Sequence, residues 1–214
     1  MKIKIKECPI TKEICERFTI EHTGELIFEE HSIPEEMLPN NWQIGLIVGK
    51  SGSGKTTLLK TFGKEKTFNW DNEKAIASHF ESYKDAEERL MGAGLSSIPN
   101  WLKPYNVLSN GEKHRADLAI SIGSNMIIDE FVSYVDDDAA MGVANSIQKY
   151  IRRKDMKNIV FASLNKNLVN FLKPDWMYDA DSKTLTVNSE IYSIETLSPL
   201  RYKKRKHFME IKAD

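Results

Sequence analysis

The chain has 214 residues, 41% hydrophobic and 29% charged, with 31 acidic and 30 basic residues and a net charge of −1. The near-neutral balance excludes a global electrostatic pull toward nucleic acid or an anionic membrane. No apolar run approaches the ~18 residues of a membrane span, and two cysteines are too few for a disulfide framework.

The N-terminal segment Met1-Lys2-Ile3-Lys4-Ile5-Lys6 alternates polar and apolar residues like an edge strand and lacks the apolar core of a signal peptide. From Ile3 to Ile33 the pattern is short and strand-like. Arg17-Phe18-Thr19-Ile20 and Glu25-Leu26-Ile27-Phe28 flank a candidate hairpin turn at His22-Thr23-Gly24. Phe18 or Phe28 either stacks on a ligand base from this small antiparallel sheet or packs as a core aromatic. Cys8 and Cys15 read as free thiols of a reducing cytoplasm, with His22 and His31 the only nearby partners for a zinc site.

The turn-rich stretch from Pro34 to Asn41 leads to an apolar strand, Trp42 to Val48, and then to Gly49-Lys50-Ser51-Gly52-Ser53-Gly54-Lys55-Thr56-Thr57. This stretch fits G-x-x-x-x-G-K-[ST], a phosphate-binding loop, in the strand–loop–helix context that the motif requires. Glycines let the backbone curl around phosphate oxygens so that successive N–H groups point inward, and the following helix start favours an anion. In this pattern Lys55 reaches the β- and γ-phosphates and the Thr56 hydroxyl coordinates Mg²⁺. A plain Gly/Ser linker would need neither Lys-Thr at that offset nor a buried strand in front.

Lys66 to Asp71 reads as a second strand and its end. Glu73 to Ala93 reads as a helix, with Ala75, Ile76, Phe80, Tyr83, Ala86 and Leu90 near helical spacing, stopped by Gly92 and Gly94. Pro99, Trp101 and Pro104 mark a rigid connection. Leu108-Ser109-Asn110-Gly111-Glu112 then opens a helix that Ser109 or Asn110 can cap. The apolar strand Met126-Ile127-Ile128 ends in Asp129-Glu130. A strand ending in two carboxylates sets the first beside Mg²⁺ and leaves the second to orient or deprotonate a water. Ser133 to Asp136 follows, then a helix from Ala139 to Arg153, a buried strand Ile159 to Ser163 ending at Leu164-Asn165, and a hairpin around Asp181-Ser182. Strands alternating with helices, with the loop at a strand's C-terminal end, predict an α/β fold: a P-loop NTPase core with a mostly parallel sheet, an N-terminal antiparallel β subdomain and a short helical lobe. The tail Arg201-Tyr202-Lys203-Lys204-Arg205-Lys206-His207 is the one strongly basic cluster, read either as a contact to nucleic-acid phosphates or as a solvated terminus.

In their order, these pieces resemble an ATP-binding-cassette (ABC) ATPase domain over roughly Phe18 to Asp181. Gly49, Gly52, Gly54, Lys55, Thr56 and Thr57 resemble the family's Walker A. Leu108 to Glu112 resembles its signature, about 20 residues before Asp129. Asp129 and Glu130 resemble the Walker B aspartate and catalytic glutamate, and Ser133 to Asp136 the D-loop. The resemblance implies ATP and Mg²⁺ as ligands. Gly49, Ser51, Gly52, Ser53, Gly54, Lys55, Thr56, Thr57, Ser109, Gly111 and Asp136 would contact nucleotide, Thr56 and Asp129 the metal, with Glu130, Lys55 and Asn165 in catalytic roles. It also implies a head-to-tail homodimer closing over two ATP molecules, with the partner's signature over the γ-phosphate.

Three features depart from the family pattern. The switch histidine is replaced by Asn165, which can hydrogen-bond but cannot carry a proton. The Q-loop glutamine is missing, with Asn69 or Asp71 as replacements. The segment between Walker A and signature is about 50 residues, shorter than in transporter cassettes. The pattern is similar to small soluble ATPases of bacteria, phages and mobile elements, some fused to acetyltransferase-like domains. That likeness rests on Gly94-Leu95-Ser96-Ser97-Ile98-Pro99, the Asp-Glu-Phe at 129–131 and Pro174-Asp175-Trp176. An acetyltransferase-like activity would then belong to a partner protein.

The expected organisation is one ABC-type domain, 1–214, with a β subdomain at 1–41, the core at 42–68 and 112–190, the lobe and signature at 70–111 and the basic tail at 198–214. The expected function is a cytoplasmic ATPase without a membrane partner that drives change in a partner or on nucleic acid. The alternatives are an ATP-gated binding module with little hydrolysis and the ATPase subunit of a transporter.

Overall fold

The structure is a computed structural model that describes residues 2–27, 32–133 and 135–187. Phe28, His31, Tyr134 and the basic tail lie outside the described residues. The chain divides into two compact units, Met1–Ser32 and Ile33–Asp214.

In the first unit, β1 (Lys2–Lys4) pairs antiparallel with β2 (Glu25–Ile27), with Ile3 opposite Leu26. Between them runs a helix, α1 (Pro9–Phe18), where strands were expected. Arg17 to Ile20 is therefore not a hairpin strand. Pro9 occupies the first helical turn, where its missing N–H costs nothing. Thr11 Oγ1 accepts the Cys8 N–H at 2.9 Å and donates to the Cys8 carbonyl at 2.8 Å. Ile10, Ile14 and Phe18 recur every four residues, a helical period that the flanking alternation obscured. Thr19 in a left-handed conformation ends the helix, and Ile20 N–H caps the Cys15 carbonyl. Phe18 is 69% exposed, so it is not a core aromatic. The turn before β2 is closed by His22 Nδ1, which accepts the Gly24 N–H at 2.9 Å. Cys8 and Cys15 are unbridged.

The second unit is an α/β layer structure. Its elements in order are β3 (Ile44–Val48), α2 (Lys55–Leu59), α3 (Tyr83–Gly92), α4 (Ile98–Trp101), α5 (Asn110–Ser121), β4 (Met126–Ile128), α6 (Asp137–Arg153), β5 (Ile159–Ser163), α7 (Val169–Leu172), β6 (Trp176–Asp179) and β7 (Thr184–Val187). The sheet order is β4-β5-β3-β6-β7. All neighbours are parallel except the β6–β7 hairpin. The mostly parallel α/β sheet expected from the sequence is present.

Both faces of this sheet are covered, which is why its strands read as unbroken apolar runs. Ile44, Leu46 and Val48 of β3, Ile159 and Phe161 of β5, and Met126 and Ile128 of β4 enter the core shared with α3, α5, α6 and α7. The alternate residues Ile47, Val160, Ala162 and Ile127 face a second core with Leu58 and Leu59 of α2 and with Trp176. Leu90, Leu95 and Trp101 of the helical lobe belong to the first core.

Trp176 is fully buried, stacks on Phe62 at 5.3 Å and meets Trp42 edge-on. It sits opposite Gly45, and a Cβ at Gly45 would lie only 2.1–2.7 Å from three atoms of its six-membered ring. Asp175, one residue earlier, pins the start of β3. Its Oδ2 accepts the N–H groups of Gln43 (2.7 Å) and Ile44 (2.9 Å), and both oxygens receive the Arg152 guanidinium at 2.9 and 2.8 Å. Burial raises the Asp175 pKa, but Arg152 and the two backbone donors outweigh it and hold the carboxyl below its ordinary value.

Two further expectations are corrected. Lys66 to Asp71 forms no strand, so β4 is the edge of the sheet. Trp70 is drawn instead onto α5: its Nε1 donates to Asp117 Oδ1 at 2.7 Å and its ring stacks on Tyr105 at 5.1 Å. Tyr105 Oη also donates to Asp117 at 2.6 Å; burial first, then this bond, pushes the phenol well above its ordinary pKa. The single helix expected over 73–93 is broken into a 3-10 turn, Ile76–His79, and α3. The break falls at extended Phe80, and α3 restarts where Ser82 Oγ accepts the Asp85 N–H at 3.2 Å. Gly94, at φ +80°, ends the lobe helix, and Leu95 N–H returns to the Leu90 carbonyl.

Substituting Gly45→Ala should destabilise the protein by about 2–3 kcal/mol, because the rigid Trp176 ring cannot yield. A denaturant melt of the variant checks this, and Trp176→Phe in the same background should recover part of the loss. Asp175→Ala should cost about 2–3 kcal/mol through the lost charge-assisted bonds. Because the folded carboxyl pKa is depressed, its stabilisation is complete above the unfolded pKa and is lost as pH falls through the folded value. The gap between wild type and Asp175→Ala should therefore be widest near neutrality and close in acid.

Candidate functional site

Gly49 to Thr57 leaves β3 at its C-terminal end and turns into α2. Gly52 and Gly54 hold φ of +79° and +85°, the left-handed region that L side chains avoid. Gly49 combines a φ of +152°, which L side chains rarely adopt, with little room: a Cβ would lie 2.7 Å from Ser53 Oγ and 3.1 Å from the Ala180 Cβ. The Lys50 carbonyl accepts the Ser53 N–H at 3.2 Å and Lys55 Nζ at 2.6 Å, which closes the loop on itself. α2 has only five residues, so an anion here would be held by nearby N–H groups more than by a long helix dipole. Its first internal bond runs from Leu58 N–H to the Gly54 carbonyl, so the N–H groups of Lys55, Thr56 and Thr57 precede the helical ladder.

β4 delivers the two acids. Thr56 Oγ1 donates to Asp129 Oδ2 at 2.6 Å, joining the loop to the strand end across 73 residues of sequence. Asp129 Oδ1 accepts the Glu130 N–H at 2.9 Å. Glu130 takes a left-handed conformation, φ +47°, which costs a non-glycine residue on the order of 1–2 kcal/mol. Phe131 enforces it: the ring is fully buried against Phe161 at 4.6 Å, and its N–H donates to the Ala162 carbonyl at 2.8 Å. Ser163 Oγ donates to the Phe131 carbonyl at 3.1 Å.

The loop has the properties of an anion site. Burial pushes the Lys55 ammonium below its ordinary pKa, while Asp129, Asp181 and Glu130 pull it back up. Ser53 Oγ is buried and has no hydrogen-bond partner among the described residues. A buried orphan hydroxyl, a lysine short of solvent and a Thr–Asp oxygen pair suit a phosphate group and a hard divalent cation.

Other expected residues sit apart from the loop or are already engaged. Ser109 caps α5. Its Oγ accepts the Glu112 N–H at 3.4 Å and its own N–H donates to Glu112 Oε2 at 2.9 Å, a reciprocal capping box that the S-x-x-E spacing encodes. This bond outweighs burial, which pushes the other way, and holds the Glu112 carboxyl below its ordinary pKa. Asn100 Nδ2 donates to Glu112 Oε1 at 2.5 Å, tying the lobe to the first turn of α5. Gly111 lies in the first turn of α5, and no hydrogen bond among the described residues joins it or Ser109 to the phosphate loop. Asp136 caps α6 by accepting the Ala139 N–H at 2.9 Å. Asn165 Nδ2 donates to Asp137 Oδ1 at 3.0 Å, and its Oδ1 accepts the Asn167 N–H at 2.9 Å. Asp71 spends its carboxylate on the Glu73 N–H and Lys74. Asn69 lines a cavity of about 470 Å³ beside β4, walled also by Trp70, Tyr105, His114 and Ile128.

The sequence reading missed Asp179, Asp181, Lys166 and Asp137. Lys50 N–H donates to Asp181 Oδ1 at 3.0 Å, and Lys166 Nζ pairs with Asp179 at 2.6 Å and Asp181 at 3.4 Å. No linear pattern marks these acids. What places them is register: Val48 pairs with Asp179 in one direction and Ser163 in the other, so the three strand ends share one edge.

No protein-family model matches the chain, and no curated protein sequence matches it. Solved structures do. The ATP-binding cassette MJ0796, in a dimeric post-hydrolysis state bound to ADP and Pi, is similar at 16% identity and a TM-score of 0.51, covering 66% of this chain and 82% of that one. A second dimeric structure of MJ0796, described as a bacterial ABC transporter cassette, gives 0.48 over the same shares at 16% identity. An inward-facing putative metal-chelate type ABC transporter gives 0.49 at 16% identity, over 75% of this chain and 78% of that one. At such identity the likeness speaks to architecture: this chain shares the α/β fold of an ATP-binding cassette.

Proposed function

We propose that the second unit binds Mg-ATP and hydrolyses it as an ABC-type ATPase, with the hydrolysing species a head-to-tail dimer. The observation that carries this reading is the 2.6 Å bond from Thr56 Oγ1 to Asp129 Oδ2, which sets a phosphate loop and a strand-end acid on one oxygen pair with Glu130 as the next residue. The loop N–H groups, Ser53 and Lys55 bind and orient the phosphates. Thr56 and Asp129 hold Mg²⁺, which when bound neutralises charge on the phosphate oxygens. Glu130, held in place by its own backbone conformation and by Phe131, orients the attacking water and takes its proton. Lys55 stabilises charge that develops on the transferring group. Ser109 and the start of α5 point to a second phosphate contact, supplied to a partner copy's site.

A second reading has its own support. Asn165 is tied at both ends, to Asp137 and to the Asn167 N–H, and an amide cannot shuttle a proton. This favours slow turnover, and in the limit an ATP-gated module that recruits a protein or nucleic acid. The acetyltransferase-like partner, the single-domain organisation, the tail's nucleic-acid role and the cytoplasmic setting are proposals that rest on the sequence alone. No helix among the described residues is long and apolar enough to cross a membrane.

Glu130→Gln should give a dimer at saturating Mg-ATP and a monomer without it, measured by light scattering, while its phosphate release falls about 100-fold or more. A variant that stays monomeric overturns the sandwich. Lys55→Ala should lower phosphate release by roughly 100-fold. Wild-type release no faster than in Lys55→Ala, despite tight ATP binding, would decide for the gated module.

A further inference from the structure

The turn between β6 and β7 grips the phosphate loop from outside. Asp181 Oδ1 accepts the Lys50 N–H at 3.0 Å. Across the same residue, the Lys50 carbonyl accepts Lys55 Nζ at 2.6 Å and the Ser53 N–H at 3.2 Å. One loop residue is thus held at its N–H by Asp181, and at its carbonyl it holds the Lys55 side chain and the Ser53 backbone.

The turn is itself well anchored. Ala180 N–H donates to the Val48 carbonyl at 2.8 Å, extending the β3–β6 ladder. Asp179 Oδ1 accepts the Asp181 N–H at 3.0 Å, and Lys166 Nζ bridges Asp179 Oδ2 and Asp181 Oδ2. The Lys50 N–H bond first, then Lys166, keeps the Asp181 carboxyl below its ordinary pKa, with Asp179 acting against them. A carboxylate beside a polyphosphate site is electrostatically unfavourable in itself, so its presence there calls for a positional reason.

We propose that Asp181 is a positioning residue for the phosphate loop, acting through the Lys50 peptide to fix Ser53 and Lys55, with Lys166 orienting and partly neutralising it. The proposal rests on the nucleotide-binding reading for its consequence. Asp181 acts as an acceptor, so an amide can replace it and a methyl group cannot.

The test uses the full chain with Asp181→Ala, Asp181→Asn and Lys166→Met. Two quantities are read: hydrogen exchange of the Lys50 amide without nucleotide, by NMR, and the Kd for Mg-ATP by calorimetry. Asp181→Ala should lose protection of the Lys50 N–H and weaken Mg-ATP binding roughly tenfold, the scale of one charge-assisted hydrogen bond. Asp181→Asn should keep both within about threefold, since its amide oxygen still accepts. Lys166→Met should keep the Lys50 protection yet weaken binding more at low salt than at high salt, because it uncovers the acid. Wild-type-like protection in Asp181→Ala, or loss in Asp181→Asn equal to that in Asp181→Ala, overturns the proposal. Should Asp181→Ala fail to fold, the Asp181→Asn and Lys166→Met results still decide it. Failure of wild type to bind Mg-ATP would sink the ATPase reading alone, because the exchange measurement judges the positioning role without nucleotide.

Discussion

The site depends on one constraint: β3 lies between two parallel neighbours in register. Val48 pairs with Ser163 on one side and Asp179 on the other. Three chains therefore leave the sheet at the same edge and in the same direction. The glycine loop follows the first, Asn165 and Lys166 the second, Asp181 the third. β4 adds Asp129 and Glu130 beyond β5. Parallel strands oblige their loops to gather at one end, and that gathering forms the site. Burial on both faces holds the register, because a one-residue slip would turn Leu46 and Ile47 into each other's cores.

What gathers there is charge of mixed sign in a partly desolvated setting. Lys55 is short of solvent and is balanced by Asp129, Asp181 and Glu130. Lys166 is balanced by Asp179 and Asp181. The lysine of the loop donates to the loop's own Lys50 carbonyl, and the threonine hydroxyl donates to Asp129. Asn165 is engaged locally: it bonds to Asp137 at the start of α6 and to its own turn.

Strain and aromatic packing complete the arrangement. Glu130 is held in the left-handed region because Phe131, immediately after it, is committed to the core and to the Ala162 carbonyl. The apolar side chain sets the conformation of the acid. On the lobe side, Asp117 of α5 gathers Trp70 from an irregular stretch and Tyr105 from the 3-10 turn Tyr105–Val107. That contact displaces the stretch at 66–71 from the free edge of β4 and leaves the cavity there.

Much of this is written in the chain. The glycine loop carries its own instruction, since Gly52 and Gly54 adopt conformations other residues resist and Gly49 has no room for a Cβ. The strands of the parallel sheet were legible as apolar runs because both faces are buried, and Ser109 with Glu112 is a local capping box readable from spacing alone. The failures were of two physical kinds. α1 was hidden by the strand-like alternation that flanks its four-residue apolar period, and the break at Phe80 falls between a 3-10 turn and the Ser82 cap. The stretch at 66–71 has strand-forming residues, but Trp70 finds a better partner in Asp117, 47 residues away. The acids at 179 and 181 became part of the site only through register with Val48. Local chemistry is encoded over a few residues and can be read in sequence. The meeting of Asp181 with Lys50, 131 residues apart, exists only once the sheet has set which strand ends lie side by side.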